Sequence, residues 1–212
     1  MSKISGLEDI HKVPPKVSQM YAAVIQMLEE GADVAGIHVS DITEKAGIGK
    51  GTAYEYFDTK EEIVACAIVY HAQWIFEWLE NALKERKSFR EQLDFLLDEI
   101  EKKDGCKNGF LRFIHMMTNN SEFSRMVREK MISEELASHL PGNMFGRILS
   151  RGVASGELRD DLPMDYMVYC LFSHLVMYVL AVTSQECVPV DAGMMRPLVC
   201  RGILNEISFE EK

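Results

Sequence analysis

The positions of the prolines constrain the fold more than any other feature of the sequence. Between them, apolar residues recur at steps of three and four, and few stretches alternate as a strand does. Proline interrupts helices and central strands alike, so long intervals without it favour uninterrupted helices joined by short connections. The sequence therefore predicts an all-α fold of nine or ten helices. The six prolines are Pro14, Pro15, Pro141, Pro163, Pro189 and Pro197.

Composition narrows the class of protein. The chain has 212 residues, of which 47% are hydrophobic, enough for a sizeable buried core and too many for a disordered chain. Acidic residues outnumber basic ones by 33 to 23, giving a net charge of -10. Bulk positive charge therefore cannot hold a polyanion, and any contact with nucleic acid must come from a local patch.

The cysteines and the chain start indicate the compartment. Five cysteines, odd in number and without a Cys-x-x-Cys pair, predict neither a disulfide framework nor a zinc site. The first residues lack the apolar run of a signal peptide. The most apolar stretch, residues 164–182, is nearly long enough to cross a membrane but carries Asp165 and His174, so we interpret it as a buried helix. A cytoplasmic protein with no membrane partner is expected.

Two capping boxes mark helix starts. Thr59 with Glu62 three residues later predicts a helix that runs to about Lys84, and Ser88 with Glu91 predicts the next one. The first of these helices is apolar on two faces and should join two cores. The helix after Ser88 should end at Asp104-Gly105, and further helices are predicted at residues 110–118 and 121–139. The helices predicted at residues 164–183 and 192–207 are also apolar on more than one face, which suits a subunit interface.

Residues 39–57 consist of a short helix, a break at residues 47–49 and a second short helix. This is the helix-turn-helix arrangement, whose second helix can lie in a DNA major groove, although two core helices joined by glycine have the same spacing. The residue types favour DNA, because small groups, hydroxyls and cations reach phosphates and base edges at close range. They are Gly51, Thr52, Tyr54 and Tyr56 on the second helix, with Lys50 and Lys60 flanking it.

This segment resembles the DNA-binding domain of TetR-type transcriptional repressors. The resemblance rests on the sequence Val39-Ser40-Asp41-Ile42-Thr43-Glu44-Lys45-Ala46-Gly47-Ile48-Gly49-Lys50-Gly51-Thr52-Ala53-Tyr54-Glu55-Tyr56-Phe57, followed by Lys60-Glu61-Glu62-Ile63. It covers residues 17–65, and residues 151–158 resemble the segment that precedes the dimerisation helices of that family. The resemblance implies a DNA-binding domain at residues 1–60 and an effector-binding and dimerisation domain at residues 61–212.

The resemblance also implies how such a protein meets DNA. A homodimer, formed through the last two helices, would place one recognition helix per subunit in a major groove of a pseudo-palindromic double-stranded operator. By matching positions, Lys50, Gly51, Thr52 and Glu55 would lie nearest the base edges. Phosphates would be contacted by Ser40, Tyr54, Tyr56 and Lys60. The core of this domain would comprise Ile42, Ala46, Ile48 and Phe57.

The charge of the N-terminal domain limits how it reads bases. Residues 1–60 contain six lysines, no arginine and nine acidic residues. Bidentate readout of guanine by arginine is therefore absent, and Lys50 is the best guanine reader. Glu55 can accept a hydrogen bond from a cytosine amino group or repel phosphate in a wrong register.

The second half of the chain is rich in aromatic residues and methionine, which suits an adaptable apolar pocket and equally suits ordinary core packing. The resemblance implies an apolar or amphipathic small-molecule effector in this half, whose binding would release the operator. The helix that begins near Lys60 would line its site. The candidate contacts are Trp74, Trp78, Phe113, Met117, Tyr166, His174 and Met177.

Other chemistry has little support in the sequence. Residues 47–52 lack the Lys-Ser or Lys-Thr pair of a phosphate loop, and no two histidines have the spacing of a metal site. No catalytic residue, metal or cofactor is predicted. Two alternatives stay open: a helical small-molecule carrier or interaction protein without DNA function, and an enzyme on a lipophilic substrate that would use His115 or His174.

Overall fold

The computed structural model describes residues 9–102, 121–132, 141–183 and 191–209. Within these ranges the structure is all-α, as predicted, and the only pairing of extended backbone is an isolated bridge between Leu158 and Ser208. The helices there are α1 (Pro15–Glu29), α2 (Val39–Lys45), α3 (Lys50–Tyr56), α4 (Lys60–Lys84), α5 (Phe89–Glu101), α6 (Glu122–Met131), α7 (Pro141–Ala154), α8 (Met164–Thr183) and α9 (Ala192–Ile207). Short 3-10 turns lie at Ile10–Lys12 and Val34–Gly36.

Most predicted helix bounds agree with the structure. The predictions for residues 164–183 and 192–207 match α8 and α9 at both ends. A helix predicted at residues 110–118 lies outside the described residues, as does the C-terminal part of one predicted at residues 121–139. The helix that was expected to end at Asp104-Gly105 ends earlier, at Glu101.

Both capping boxes are confirmed. The Thr59 hydroxyl accepts a hydrogen bond from the backbone N–H of Glu62 at 3.1 Å, and the Glu62 carboxylate accepts one from the Asp58 N–H at 3.0 Å. The Ser88 hydroxyl likewise accepts from the Glu91 N–H at 3.1 Å. Each box satisfies backbone donors that the first turn of a helix leaves unpaired, and so fixes where α4 and α5 begin.

The described chain divides into two compact units. One comprises residues 9–76 and 121–132, and the other comprises residues 77–102, 141–183 and 191–209. In the first unit α1 packs against α2 and α3. Its core includes Tyr21, whose ring lies 6.0 Å from that of Phe57 and 5.1 Å from that of Tyr70. Burial raises the pKa of the Cys66 thiol in this core.

In the second unit α8 packs against α7 and α9, and α5 contacts all three. The buried stripe of α5 consists of apolar residues at helical spacing, including Leu93, Leu97 and Ile100. Arg196 on α9 forms ion pairs with Asp98 at 2.7 Å and Glu101 at 2.9 Å on α5. These charge-assisted contacts tie the last helix to α5.

Helix α8 is the one described helix whose length and hydropathy would allow it to cross a membrane. Its side chains at Met167, Leu171, Leu175 and Val179 are buried within the second unit. This packing agrees with the interpretation of α8 as a core helix, because the core helix of a water-soluble domain passes the same test of length and hydropathy.

Candidate nucleic-acid interface

The turn between α2 and α3 has the geometry that the motif requires. The Ala46 N–H donates to the Ile42 carbonyl at 2.9 Å, which closes α2, and the Ile48 N–H donates to the Thr43 carbonyl at 3.0 Å. Gly47 lies between them with φ of +66°, in the left-handed region that a residue with Cβ adopts at a cost. The chain can therefore reverse within four residues and begin α3 at Lys50.

Helix α3 buries one side and exposes the other. Ala53 is fully buried, as is Phe57 directly after the helix. On the opposite side Lys50, Gly51, Tyr54 and Glu55 are exposed, while Thr52 and Tyr56 are partly buried at its edges. We call the exposed set, Lys50, Gly51, Tyr54 and Glu55, the α3 surface. The structure thus brings four of the predicted DNA contacts onto one face.

The α3 surface carries opposite charges that its own chain does not neutralise. Within the described ranges, neither the Lys50 ammonium nor the Glu55 carboxylate forms an ion pair. Gly51 leaves the backbone open, since a Cβ placed there would meet no atom within 4 Å. Exposed donors and acceptors beside open backbone are what close approach to base edges requires.

Two other predicted contacts lie outside α3. Ser40 is exposed in the first turn of α2, and its hydroxyl lies 3.4 Å from a carboxylate oxygen of Asp41. The Lys60 ammonium donates to the Ala35 carbonyl at 3.1 Å and lies 3.5 Å from the Glu61 carboxylate. Lys60 therefore holds the loop before α2 in this state, and would have to change rotamer to reach a phosphate.

A positioning contact that the sequence did not indicate joins α2 to α1. The Lys45 ammonium donates to both carboxylate oxygens of Glu30, at 3.0 and 2.8 Å. Hydrogen bonds from Lys45 and from the Gln26 amide lower the pKa of Glu30. The two partners are fifteen residues apart, and no local pattern marks a pair at that separation.

Two details of the predicted domain are corrected. Ile42 and Phe57 are buried as predicted, but Ala46 and Ile48 are only partly buried because they lie at the turn rather than within α2 or α3. His38, a poor capping residue, precedes α2; the Asp41 carboxylate compensates by accepting from the His38 N–H at 3.0 Å.

The predicted effector contacts lie partly in the two units and partly outside the described residues. Phe113 and Met117 lie outside the described residues. In the first unit, Trp74 is partly exposed and its ring lies 5.0 Å from that of His11. In the second unit, Trp78 is also exposed, with its ring 6.0 Å from that of Phe95.

The remaining three predicted effector contacts belong to α8. The Tyr166 hydroxyl donates to the Glu206 carboxylate at 2.9 Å, and Nδ1 of His174 lies 2.9 Å from the Cys170 carbonyl. Met177 is exposed. The role of these side chains in effector binding stays a prediction.

Comparison with known proteins decides the class. Residues 22–66 match the family model described as bacterial regulatory proteins, tetR family. The N-terminal segment of the chain is therefore similar to the TetR family of transcriptional regulators. The matched residues span α2, the turn and α3, which are the elements that build the α3 surface. This match supports a transcriptional regulator over the alternatives of a lipophilic-substrate enzyme and of a carrier without DNA function.

Several relatives extend the match. A fatty acid metabolism regulator protein of Bacillus subtilis (strain 168) is 29% identical over 155 residues, which are 71% of this chain and 74% of the relative. The solved FadR of Bacillus halodurans has a TM-score of 0.64 at 21% identity and covers 91% of this chain and 96% of its own. FadR of Bacillus subtilis in complex with stearoyl-CoA has a TM-score of 0.62 at 20% identity, covering 88% and 97%. These structures share the fold of this chain.

Proposed function

We propose that this regulator binds a pseudo-palindromic operator as a homodimer and represses transcription until an effector releases it. The observation that carries the proposal is the α3 surface, which presents small, hydroxyl and charged groups on one exposed face. Helix-turn-helix dimers place two such helices about 34–36 Å apart, in successive major grooves. The protein would act where DNA is, in the cytoplasm of a bacterial cell.

The residues of the α3 surface suggest a division of roles. Lys50, at the first turn of α3, is placed to donate to guanine O6 or N7, and Glu55 to accept from a cytosine amino group. The Tyr54 hydroxyl, with those of Ser40 and Tyr56, is assigned to phosphate oxygens, which fix position without reading sequence. Gly51 and Thr52 would lie against the bases because their small size permits close approach.

An exposed apolar face on α8 and α9 supports the homodimer. Tyr169, Met177 and Met194 are 70%, 60% and 68% exposed, and Leu198 is also exposed. Tyr166, Tyr169 and Met177 recur on α8 at spacings that place them on one stripe. A contiguous apolar surface of this kind is typical of a subunit interface, and a two-fold axis would make it self-complementary.

The effector we propose is a fatty-acyl compound. The support is the 29% identity to a protein named as a fatty acid metabolism regulator, together with the shared fold of a homologue solved with stearoyl-CoA. Release of the operator requires the effector to bind the dimer conformation that cannot bind DNA more tightly than the conformation that can. Equal affinity for both conformations would leave their populations unchanged. Trp74 and Trp78, one turn apart on α4, remain the proposed points of contact.

Titration of an operator duplex with single-residue variants tests the proposal. Lys50→Ala should weaken binding by roughly tenfold to a hundredfold, as expected for the loss of a base contact, and relax the preference at one base pair. Lys87→Ala, an exposed lysine remote in sequence from the motif, is the matched control and should leave affinity unchanged. Equal affinity of Lys50→Ala and wild type, with both proteins dimeric, would contradict the assigned role of α3.

A further inference from the structure

A groove beside the last helix has a chemistry that the proposed DNA and effector sites do not use. It lies in the second unit, has a volume of about 470 Å³ and is open along one side. Its volume falls within the range of about 300–1,000 Å³ that small-molecule sites occupy. Its lining residues are Arg90, Pro197, Arg201, Leu204, Asn205, Ser208 and Phe209.

The lining is amphipathic. Pro197, Leu204 and Phe209 supply the apolar wall, and Phe209 is 54% exposed, so its ring is available to a ligand. Asn205 and Ser208 add two neutral polar groups. Four lining residues of α9, Pro197, Arg201, Leu204 and Asn205, recur at spacings that form a stripe about 12 Å long, at about 1.5 Å per residue. The groove is therefore elongated along the helix.

Its charge is opposite to that of the chain as a whole. Among the described residues, two arginines and no acidic residue line the groove, whereas the net charge of the protein is -10. Arg90 is partly neutralised by Asp94, with 3.4 Å between its Nε and the carboxylate. No ion pair or hydrogen bond engages the exposed guanidinium of Arg201 in the described part of the chain.

We infer that this groove binds an amphipathic anion, with a carboxylate or phosphate head on Arg201 and Arg90 and its apolar chain along Pro197, Leu204 and Phe209. A guanidinium holds either oxyanion in a bidentate geometry, and the apolar wall removes the chain from water. Arg201 is the principal anchor because Asp94 competes for Arg90. The site lies on α9, separate from the proposed effector contacts Trp74 and Trp78 on α4.

The location suggests a link to assembly. Arg201 and Asn205 continue the exposed stripe that Met194 and Leu198 begin on α9, the face assigned to the homodimer under the proposed function. A ligand in the groove would therefore lie at the margin of that face. This consequence, and the access of a ligand to Arg201 in the assembled protein, both rest on the proposed dimer.

Calorimetric titration of the full chain with dodecanoate, below its micelle concentration, tests the inference. Wild type should bind dodecanoate. The double variant Arg90→Gln, Arg201→Gln should bind one fewer dodecanoate molecule per chain, or bind that molecule at least tenfold more weakly. Arg151→Gln, an exposed arginine on α7, is the matched control and should titrate as wild type does. Because all three positions are exposed, circular dichroism should confirm an unchanged fold.

Further titrations separate the parts of the ligand. Acetate and inorganic phosphate should bind far more weakly than dodecanoate, because they lack the alkyl chain. Dodecyl phosphate should compete with dodecanoate, which would show that the groove accepts either a carboxylate or a phosphate head group. Phe209→Ala should weaken the binding of dodecanoate and leave the binding of acetate unchanged.

Dodecanoate binding that is identical in wild type and the double arginine variant would overturn the inference, as would no binding of dodecanoate to wild type. Loss of operator binding by Lys50→Ala has no bearing on this outcome, so the two proposals fail independently.

Discussion

Gly152 on α7 packs directly against Leu158, so that a Cβ placed on the glycine would lie 2.6 Å from Cδ1 of the leucine and 2.8 Å from its Cγ. Leu158 is 1% exposed, so its side chain is enclosed by the core. The N–H of Leu158 also donates to the Gly152 carbonyl at 3.1 Å. The segment after α7 therefore turns back onto its own helix, and only glycine leaves it room.

Gly152→Ala should lower the free energy of unfolding by about 1–3 kcal/mol, because overpacking a buried contact outweighs the helix propensity gained. Gly146→Ala, on the same helix, is the control. A Cβ there would lie 4.0 Å from the Val168 side chain, an ordinary contact, so this variant should be neutral or more stable by up to about 1 kcal/mol. Urea unfolding of both variants measures the difference, and equal stabilities would refute the close packing.

Glu80 and Arg147 make a pH-dependent contribution to stability. The guanidinium of Arg147 lies 3.0 and 2.6 Å from the two carboxylate oxygens, and chiefly for this reason the pKa of Glu80 falls from 4.5 to about 2. A carboxyl whose pKa is depressed on folding stabilises the protein above its unfolded pKa and loses that effect as the pH falls toward the folded value. The contribution of the Glu80–Arg147 pair to the free energy of unfolding should therefore be complete at neutral pH and should decrease below about pH 4.5.

The test compares Glu80→Gln with wild type across that window. Near pH 7 the variant should be less stable by about 1–2 kcal/mol, and the difference should narrow between pH 5 and pH 3.5. Glu85→Gln is the matched control, because its carboxylate is exposed and lies 3.9 Å from Arg86. A Glu80→Gln deficit that stays constant with pH would show that the ion pair is not its cause.

Removal of the Lys45–Glu30 pair should have a salt-dependent effect. Lys45→Gln should lower the free energy of unfolding slightly at low ionic strength, because an exposed ion pair contributes little to stability. The deficit should largely vanish in 1 M salt, where the Debye length falls to about 3 Å. Lys12→Gln removes a more exposed pair with Asp9 and should change stability less. A deficit for Lys45→Gln that persists in 1 M salt would indicate lost packing instead.

The apolar face of α8 and α9 predicts the assembly state. Tyr169→Glu combined with Met177→Glu should place buried charges across the proposed dimer axis and give monomers in sedimentation velocity, with operator affinity reduced at least tenfold. Ile132→Glu is the control, since this side chain is 63% exposed but belongs to the first unit. If the double variant remained dimeric and bound DNA as wild type does, the dimer would have to form through another surface.

Local sequence rules predicted much of this fold, and for identifiable reasons. Capping boxes at Thr59 and Ser88 act within four residues, and α8 is a long, mostly apolar stretch, so these helices could be predicted from local sequence. Helix α9 continues through Pro197, although proline generally interrupts helices. The DNA-facing residues of α3 were assigned from their types and from the resemblance, and the structure accounts for their exposure, because the helix turns Ala53 into the core and Tyr54 and Glu55 away from it.

Contacts between distant residues could not be predicted. Lys45 with Glu30, Arg196 with Asp98, and Lys60 with the Ala35 carbonyl depend on how helices and loops pack, which no single window of sequence encodes. The groove formed by Arg201 and Arg90 is of the same kind, since its walls come from α9 and α5. Placement of the effector residues also requires packing, and Trp74 and Trp78 remain assigned by resemblance.

Selection from a random pool of DNA duplexes by the purified chain, at moderate salt and followed by sequencing, tests the central claim most directly. The account predicts enrichment of an inverted repeat whose half-sites are centred about one helical turn, or a multiple of it, apart, and loss of that enrichment in Lys50→Ala. Recovery of no consensus by the wild-type protein, or of the same consensus by Lys50→Ala, would contradict it.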